Sequence, residues 1–191
     1  MKIGDNFMNL ETDRLLLRAW KTADADLLYE YAKDERIGNW CGFPAHKSVE
    51  ESQNIIKNVL MCDEDYAVEL KEENKFVGNV SLKLGDNASF IESEDEAEIG
   101  YWVAVPYWGR GIIPEATSVL IRHAFEDLKI KTLWCGYYDG NNNSKRAMEK
   151  CGFKFHHIIR DAAVKLLNTT RDEYVSNLTY DMWKENNRKT C

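Results

Sequence analysis

The sequence predicts a mixed β-sheet of about seven strands with helices on both faces. Three observations carry this. Alternating apolar stretches at 66–70 and 77–84, separated by the polar residues 72–75, read as a hairpin. The stretch 97–105, AEIGYWVAV, runs through a glycine-rich turn into a helical repeat and then into β-branched and aromatic residues at 132–138. That strand–helix–strand order demands a parallel crossover. Three further β-rich segments, at 11–20, 153–160 and 174–183, complete the count.

Taken in order, Leu15 and Leu17 with their apolar neighbours make a first strand. Leu27, Leu28 and Tyr31 at helical spacing place a helix over 24–31. Residues 37–47, IGNWCGFPAHK, hold two glycines and a proline and read as a loop. Ser48 and Glu51 form a capping box opening a second helix, whose apolar face includes Val49, Ile55, Ile56, Val59 and Leu60. The acidic stretch 85–96 reads as a solvated hairpin tip, because its spacing matches no calcium loop. After Pro114, Ala116, Leu120, Ala124 and Leu128 recur every four positions, with Ile121 and Phe125 widening the stripe into one buried helical face. The string DGNNN, 139–143, is a turn before a short helix over 144–151, which Gly152 stops. Residues 184–191 are expected to fray.

Composition bounds the function. A chain of 191 residues is expected to form a single domain over 1–191. Hydrophobic residues make up 44% and charged ones 30%, which is ordinary for a globular protein. No apolar run approaches the roughly 20 residues of a membrane span, and the first residues hold no apolar signal core. Five scattered cysteines with no C-x-x-C pair favour a reduced, cytoplasmic protein, and no metal is expected. The net charge of −7 argues against nucleic-acid binding and tilts toward a cationic partner.

The chemistry concentrates at 106–116, PYWGRGIIPEA. Gly109 and Gly111 allow unusual backbone angles and close approach to a bound group. Pro114 suits the first position of a helix, and Ile113 before it is no capping residue. An uncapped helix start offers unpaired N–H groups to an anion. A P-loop would need G-x-x-x-x-G-K-[ST], which is absent. A dinucleotide fingerprint would need glycine at 114, which is proline. A coenzyme A pyrophosphate stays open on spacing alone.

The strings EIGYWVAVPYWGRGIIPEA and NNNSKRAMEKCGF, with the opening ETDRLLLRAW, closely resemble the GNAT superfamily of acyl-CoA-dependent N-acetyltransferases, and within it the RimJ/RimL-type branch. The resemblance covers nearly the whole chain. It implies the acyl-CoA N-acyltransferase-like fold, an α/β (mixed α+β) arrangement with a mostly antiparallel central sheet. It implies acetyl-CoA as co-substrate and an amine acceptor, either a protein N-terminus or a small cationic amine, with the protein a monomer or homodimer.

By the same resemblance Trp108, Gly109, Arg110, Gly111, Ile112 and Ile113 hold the pyrophosphate through backbone amides. Pro106 stands where the family often has Gln or Arg, so side-chain support there is lost. Arg110 is as readily a solvated loop charge as a phosphate contact. Val103 and Val105 would pair with the pantetheine arm, and an amide near Val103 would polarise the thioester carbonyl. An ordinary paired ladder is the alternative. Glu98 resembles the family's base, with an edge-strand surface charge as its competitor; Glu115 is a weaker candidate, already explained by the helix dipole. Met148 replaces the acid tyrosine of many members, and Ser144 matches the serine that protonates the leaving thiolate in the RimL-like branch. Ser144 could instead cap its helix. Asn141 matches an asparagine that contacts the cofactor arm, or serves the DGNNN turn.

His156 and His157, adjacent on a strand, are expected on opposite faces and unable to chelate one ion together. His46 and His123 read as surface or core residues. The loop around Trp40 to Lys47 would border the acceptor in this family and set specificity. The activity so implied is acetyl transfer to a primary amine by direct attack in a ternary complex. A catalytically silent acyl-CoA sensor or scaffold is the alternative.

Overall fold

The computed structural model describes residues 7–190. Its strands are β1 (Leu10–Glu11), β2 (Leu15–Arg18), β3 (Asp65–Leu70), β4 (Lys75–Lys83), β5 (Glu96–Val103), β6 (Thr132–Tyr138), β7 (Lys154–Val164) and β8 (Thr169–Thr179). Its α-helices are α1 (Ala25–Ala32), α2 (Glu35–Cys41), α3 (Val49–Ile55), α4 (Ile112–Glu126), α5 (Asn142–Lys150) and α6 (Tyr180–Thr190). The strands form one sheet in the order β1-β2-β3-β4-β5-β6-β8-β7. The crossover through α4 makes β5 and β6 parallel, as the sequence order demands. The pairings of β1–β2, β2–β3, β3–β4, β6–β8 and β7–β8 are antiparallel.

The chain divides into two compact units, Met1–Ser81 with Tyr101–Val119, and Leu82–Gly100 with Leu120–Cys191. In the first unit Trp20, Ala25, Leu28, Ala32, Ile56, Ala67 and Phe76 form one core cluster. Trp20 meets Phe76 edge-on at 5.1 Å, a geometry the ring quadrupoles favour. Arg18 is buried there, and its guanidinium is satisfied by Asp24 at 2.8 Å and Glu69 at 2.7 Å. In the second unit Leu133 and Cys135 of β6 are buried with Val175 and Leu178 of β8. Phe125 at the end of α4 packs on Trp183 of α6 at 5.5 Å.

Four expectations are corrected. The first strand is two: Thr12 donates to the Leu15 carbonyl, and the chain doubles back so that Leu10 faces Leu17. The sheet thus has eight strands where about seven were expected, and the mixed, mostly antiparallel architecture stands as expected. Residues 35–41, expected within or beside a loop, are helical. Asp34 caps α2 by accepting from the Arg36 N–H, and Gly42 at φ 78° ends it. The other glycine of that stretch, Gly38, is there for space, since a Cβ would lie 2.3 Å from the Phe43 carbonyl oxygen.

Ser48 caps α3 as expected, but Val49 and Val59 are exposed. A π-helical turn at Ile56–Leu60 follows α3; its altered residues-per-turn moves Val59 off the buried face. The last expected strand stops at Thr179, and α6 follows it to Thr190 where fraying was expected. Cys191 lies outside the described residues, as do residues 1–6 of the opening segment in which no signal core was expected.

Candidate functional site

In the first unit the glycine turn sits between β5 and α4. Gly109 and Gly111 both adopt φ +76°, a region that strains any side-chain-bearing residue. A Cβ on Gly109 would meet nothing within 4 Å, and one on Gly111 only the Arg14 guanidinium at 3.9 Å. The glycines therefore serve the backbone path, and the space beside the turn is open. The N–H groups of Gly109, Gly111, Ile112 and Ile113 find no acceptor among the described residues. The helix begins at Ile112, so Gly111 rather than Ile113 occupies the capping position and Pro114 is the third helical residue. Glycine has no side chain to cap with, and the open N–H cradle fits a pyrophosphate.

The side chains around this turn fix it. Arg14 pairs with Glu115 at 2.5 Å and reaches the Arg110 carbonyl at 3.4 Å. Thr12 donates to the other Glu115 oxygen at 2.5 Å. Glu115 is thus engaged as an anchor. Arg110 is held by Glu72 at 3.2 Å and Glu73 at 3.5 Å, and lies over the Tyr107 ring at 5.1 Å. Tyr107 in turn donates to Glu73 at 2.7 Å.

Val105, expected on the strand, opens a 3-10 turn, Val105–Tyr107, because Pro106 cannot continue the ladder. The Val105 carbonyl accepts from the Trp108 N–H at 3.2 Å. The Val103 carbonyl accepts from the Trp108 indole at 2.8 Å. Both carbonyls are thereby spent internally.

In the second unit the β5–β6 ladder runs only from Glu96↔Thr132 to Glu98↔Trp134, although the strands continue to Val103 and Tyr138. Alternation and register put Glu98, Trp134, Gly136, Tyr138 and Glu173 on one face of the sheet. Glu98 is 5% exposed. Lys83 donates to one of its oxygens and the Ser89 N–H to the other, both at 2.6 Å. Residues 85–92 are therefore more than a solvated tip: Ser89 binds Glu98, and the Phe90 ring lies over Gly136. A Cβ on Gly136 would sit 2.8 Å from a Glu173 carboxylate oxygen and 2.8 Å from Phe90. Burial, and then the charge of Glu98, push the Glu173 carboxyl above its ordinary range, with Lys83 opposing.

Asn141 caps α5, its side-chain oxygen accepting from the Ser144 N–H at 3.1 Å. The Ser144 side chain is thus not the cap, and its Oγ stands 4.0 Å from the Met148 sulfur. The Glu173–Gly136 pair escaped the sequence reading, though a glycine inside the strand WCGYY signals close approach by another group.

His156 and His157 do not face apart. A β-bulge between Phe155 and His157 brings their Nδ1 atoms to 2.8 Å. His46 and His123 are core residues, and His46 pairs with the buried Ser52 at 2.8 Å. Among the described residues no three His, Cys, Asp or Glu side chains gather as a metal site, and Cys41, Cys62, Cys135 and Cys151 form no disulfide. No helix of the described chain is long and apolar enough to cross a membrane.

This is an acyltransferase fold with four unpaired N–H groups at the start of its crossover helix. Residues 14–154 match the model of the acetyltransferase (GNAT) domain, and the chain belongs to that family of N-acetyltransferases. It is 22% identical over 159 residues to the protein named Uncharacterized N-acetyltransferase YoaA of Bacillus subtilis (strain 168), covering 81% of this chain and 87% of that one. Mycobacterium smegmatis RimJ, solved in complex with CoA-disulfide, superposes with a TM-score of 0.73 at 19% identity, covering 87% of this chain and 82% of that one. The ribosomal-protein-S5-alanine acetyltransferase of Vibrio fischeri gives a TM-score of 0.68 at 20% identity, covering 92% and 98%.

Proposed function

We propose that the whole chain acts as one acetyl-CoA-dependent N-acetyltransferase domain, transferring acetyl to a primary amine by direct attack in a ternary complex. The observation that carries this is the open cradle at the start of α4: two glycines at φ +76° beside four unpaired N–H groups. Trp108, Gly109, Arg110, Gly111, Ile112 and Ile113 would hold the pyrophosphate, with Arg110 leaving Glu72 and Glu73 to meet it. Val103 and Val105 remain candidates for pairing with the pantetheine arm, each carbonyl already accepting one internal hydrogen bond. Asn141, which caps the helix carrying Ser144, and Ser144 itself are further candidates for contact with the cofactor.

Bound acetyl-CoA supplies a thioester carbonyl and a thiol leaving group. The protein must take a proton from the ammonium and give one to the departing sulfur. The acidic face that includes Glu98 supplies the first need, and the Ser144 hydroxyl the second. With both oxygens bound and its side chain buried, Glu98 enters this proposal as the fixed charge of that face.

A protein N-terminus is the acceptor class we favour, supported by the RimJ/RimL-like motifs and by the name of the Vibrio fischeri structure. Thiol release from acetyl-CoA, measured over peptide N-termini, polyamines and aminoglycosides, tests the reading. Release with a peptide N-terminus is expected. Coenzyme A binding without release for any amine would establish the sensor instead.

A further inference from the structure

We infer that Glu173 is the carboxylate that takes the proton from the acceptor amine, with Gly136 leaving the room into which it folds. The inference rests on the acetyltransferase reading and assigns a role to a residue outside the family-like motifs. Glu98 and Glu173 share one sheet face and differ in how they are held. Glu98 is 5% exposed, with Lys83 on one oxygen and the Ser89 N–H on the other, each at 2.6 Å. Each Glu98 oxygen is already held by a donor, and the buried side chain has little freedom to turn toward an acceptor. The Glu173 carboxylate is half-buried and makes no hydrogen bond or ion pair among the described residues.

Its place is built. The Glu173 side chain lies over the backbone of Gly136, where any larger residue would put a Cβ 2.8 Å from its oxygen. Phe90 closes the same spot from the loop before β5. The ladder between β5 and β6 stops at Glu98 and Trp134, just before Gly136 in β6, so the strand backbone is released there. Trp134 Nε1 is buried and has no acceptor among the described residues, a second polar group of this face awaiting a partner. The charged and titratable groups facing Glu173 are Lys83 of β4, Glu98 of β5, Tyr138 of β6 and Arg171 of β8, while β7 opposes it with Ile159. Burial and the Glu98 charge favour the protonated form, which suits a group that must hold a proton for part of each cycle.

The ammonium gives one proton to Glu173, directly or through a water, and Glu173 returns it to solvent. The nitrogen–carbon bond forms as the carbon–sulfur bond breaks. The second nitrogen proton replaces the one that Ser144 gives to sulfur, so amide, thiol and one free proton result.

The test is the pH profile of kcat/KM for amine-dependent thiol release by wild type, Glu173→Gln, Glu173→Asp and Glu98→Gln, with coenzyme A affinity as the check on folding. Glu173→Gln should lose about 100-fold near pH 7 and lack the acid limb. Glu173→Asp should keep that limb at reduced rate, and Glu98→Gln should keep it but move it to lower pH. Loss of the limb in Glu98→Gln with retention in Glu173→Gln would overturn the assignment, as would two near-wild-type profiles. A wild-type chain that binds acetyl-CoA and releases no thiol to any amine would overturn the acetyltransferase reading and this assignment together, distinct from those outcomes.

Discussion

Arg14 and Glu115 join the entry of β2 to the first turn of α4, with Nη2 and Nε of the arginine 2.5 and 2.8 Å from one carboxylate oxygen. The same arginine reaches the Arg110 carbonyl, so one ion pair steadies the glycine turn from beneath. Partial burial pushes the Glu115 carboxyl up, but the hydrogen bonds from Arg14 and Thr12, with the arginine charge, outweigh it and hold it below its ordinary range. A carboxyl lowered on folding stabilises above its unfolded value, near pH 4.3 or roughly so, and that stability is lost as pH falls through the folded value.

Glu115→Gln should therefore cost about 0.5–1 kcal/mol near pH 7, the pair being partly exposed. The cost should shrink in acid. Urea melts of both proteins at neutral and acid pH check the sign, and an equal cost at both would show that packing, not charge, holds the turn.

Glu173 gives the opposite sign. Burial first, then the charge of Glu98, raise its carboxyl against the pull of Lys83. Between the unfolded and folded values the folded chain binds the extra proton, so stability falls as pH rises through that window. Glu173→Gln stays neutral and should be more stable than wild type near pH 7, the gain disappearing in acid. A thermal melt at the two pH values is sufficient. A destabilised glutamine variant at neutral pH would show that the charge is better accommodated than its surroundings indicate. Gained stability with lost turnover is the expected mark of a charge kept for chemistry.

The α5 start separates two roles. Asn141→Ala should cost about 1 kcal/mol through the lost cap. Ser144→Ala, whose hydroxyl is not that cap, should leave stability and coenzyme A affinity within about twofold and lower kcat by at least 100-fold or so. Paired melting and thiol-release measurements distinguish them. Loss of coenzyme A affinity in Ser144→Ala would make the serine a binding group.

Gly109→Ala should strain a backbone fixed at φ +76°, by about 1–2 kcal/mol, without any steric clash of the new methyl. Coenzyme A affinity should fall with it, because the N–H groups lose their arrangement. Unchanged affinity in calorimetry would place the pyrophosphate elsewhere.

Much of this was legible in the chain because local signals agree with the global fold. The β5–turn–α4–β6 crossover is written in AEIGYWVAV, PYWGRGIIPEA and the four-residue apolar repeat. Other parts were hidden by local ambiguity. Gly38 and Gly42 make 37–47 look like a loop, yet one leaves room for the Phe43 carbonyl where a Cβ would stand and the other ends a helix. Thr12 and Asp13 are too short a break to announce a turn within the first β-rich segment. The bulge that joins His156 to His157 has no glycine to mark it. The carboxylate face was half-legible: Glu98 lies in a motif, whereas Glu173 is brought to Gly136 by the strand order, which pairs β6 with β8 ahead of β7.

The central claim is that the N–H groups at the start of α4 bind the coenzyme A pyrophosphate. Amide NMR shifts of Gly109, Gly111, Ile112 and Ile113, followed during titration with coenzyme A and separately with pantetheine, test it directly. The account predicts large shifts of these four amides with coenzyme A and almost none with pantetheine, which lacks the pyrophosphate. Saturable coenzyme A binding that leaves the four amides unmoved would contradict it.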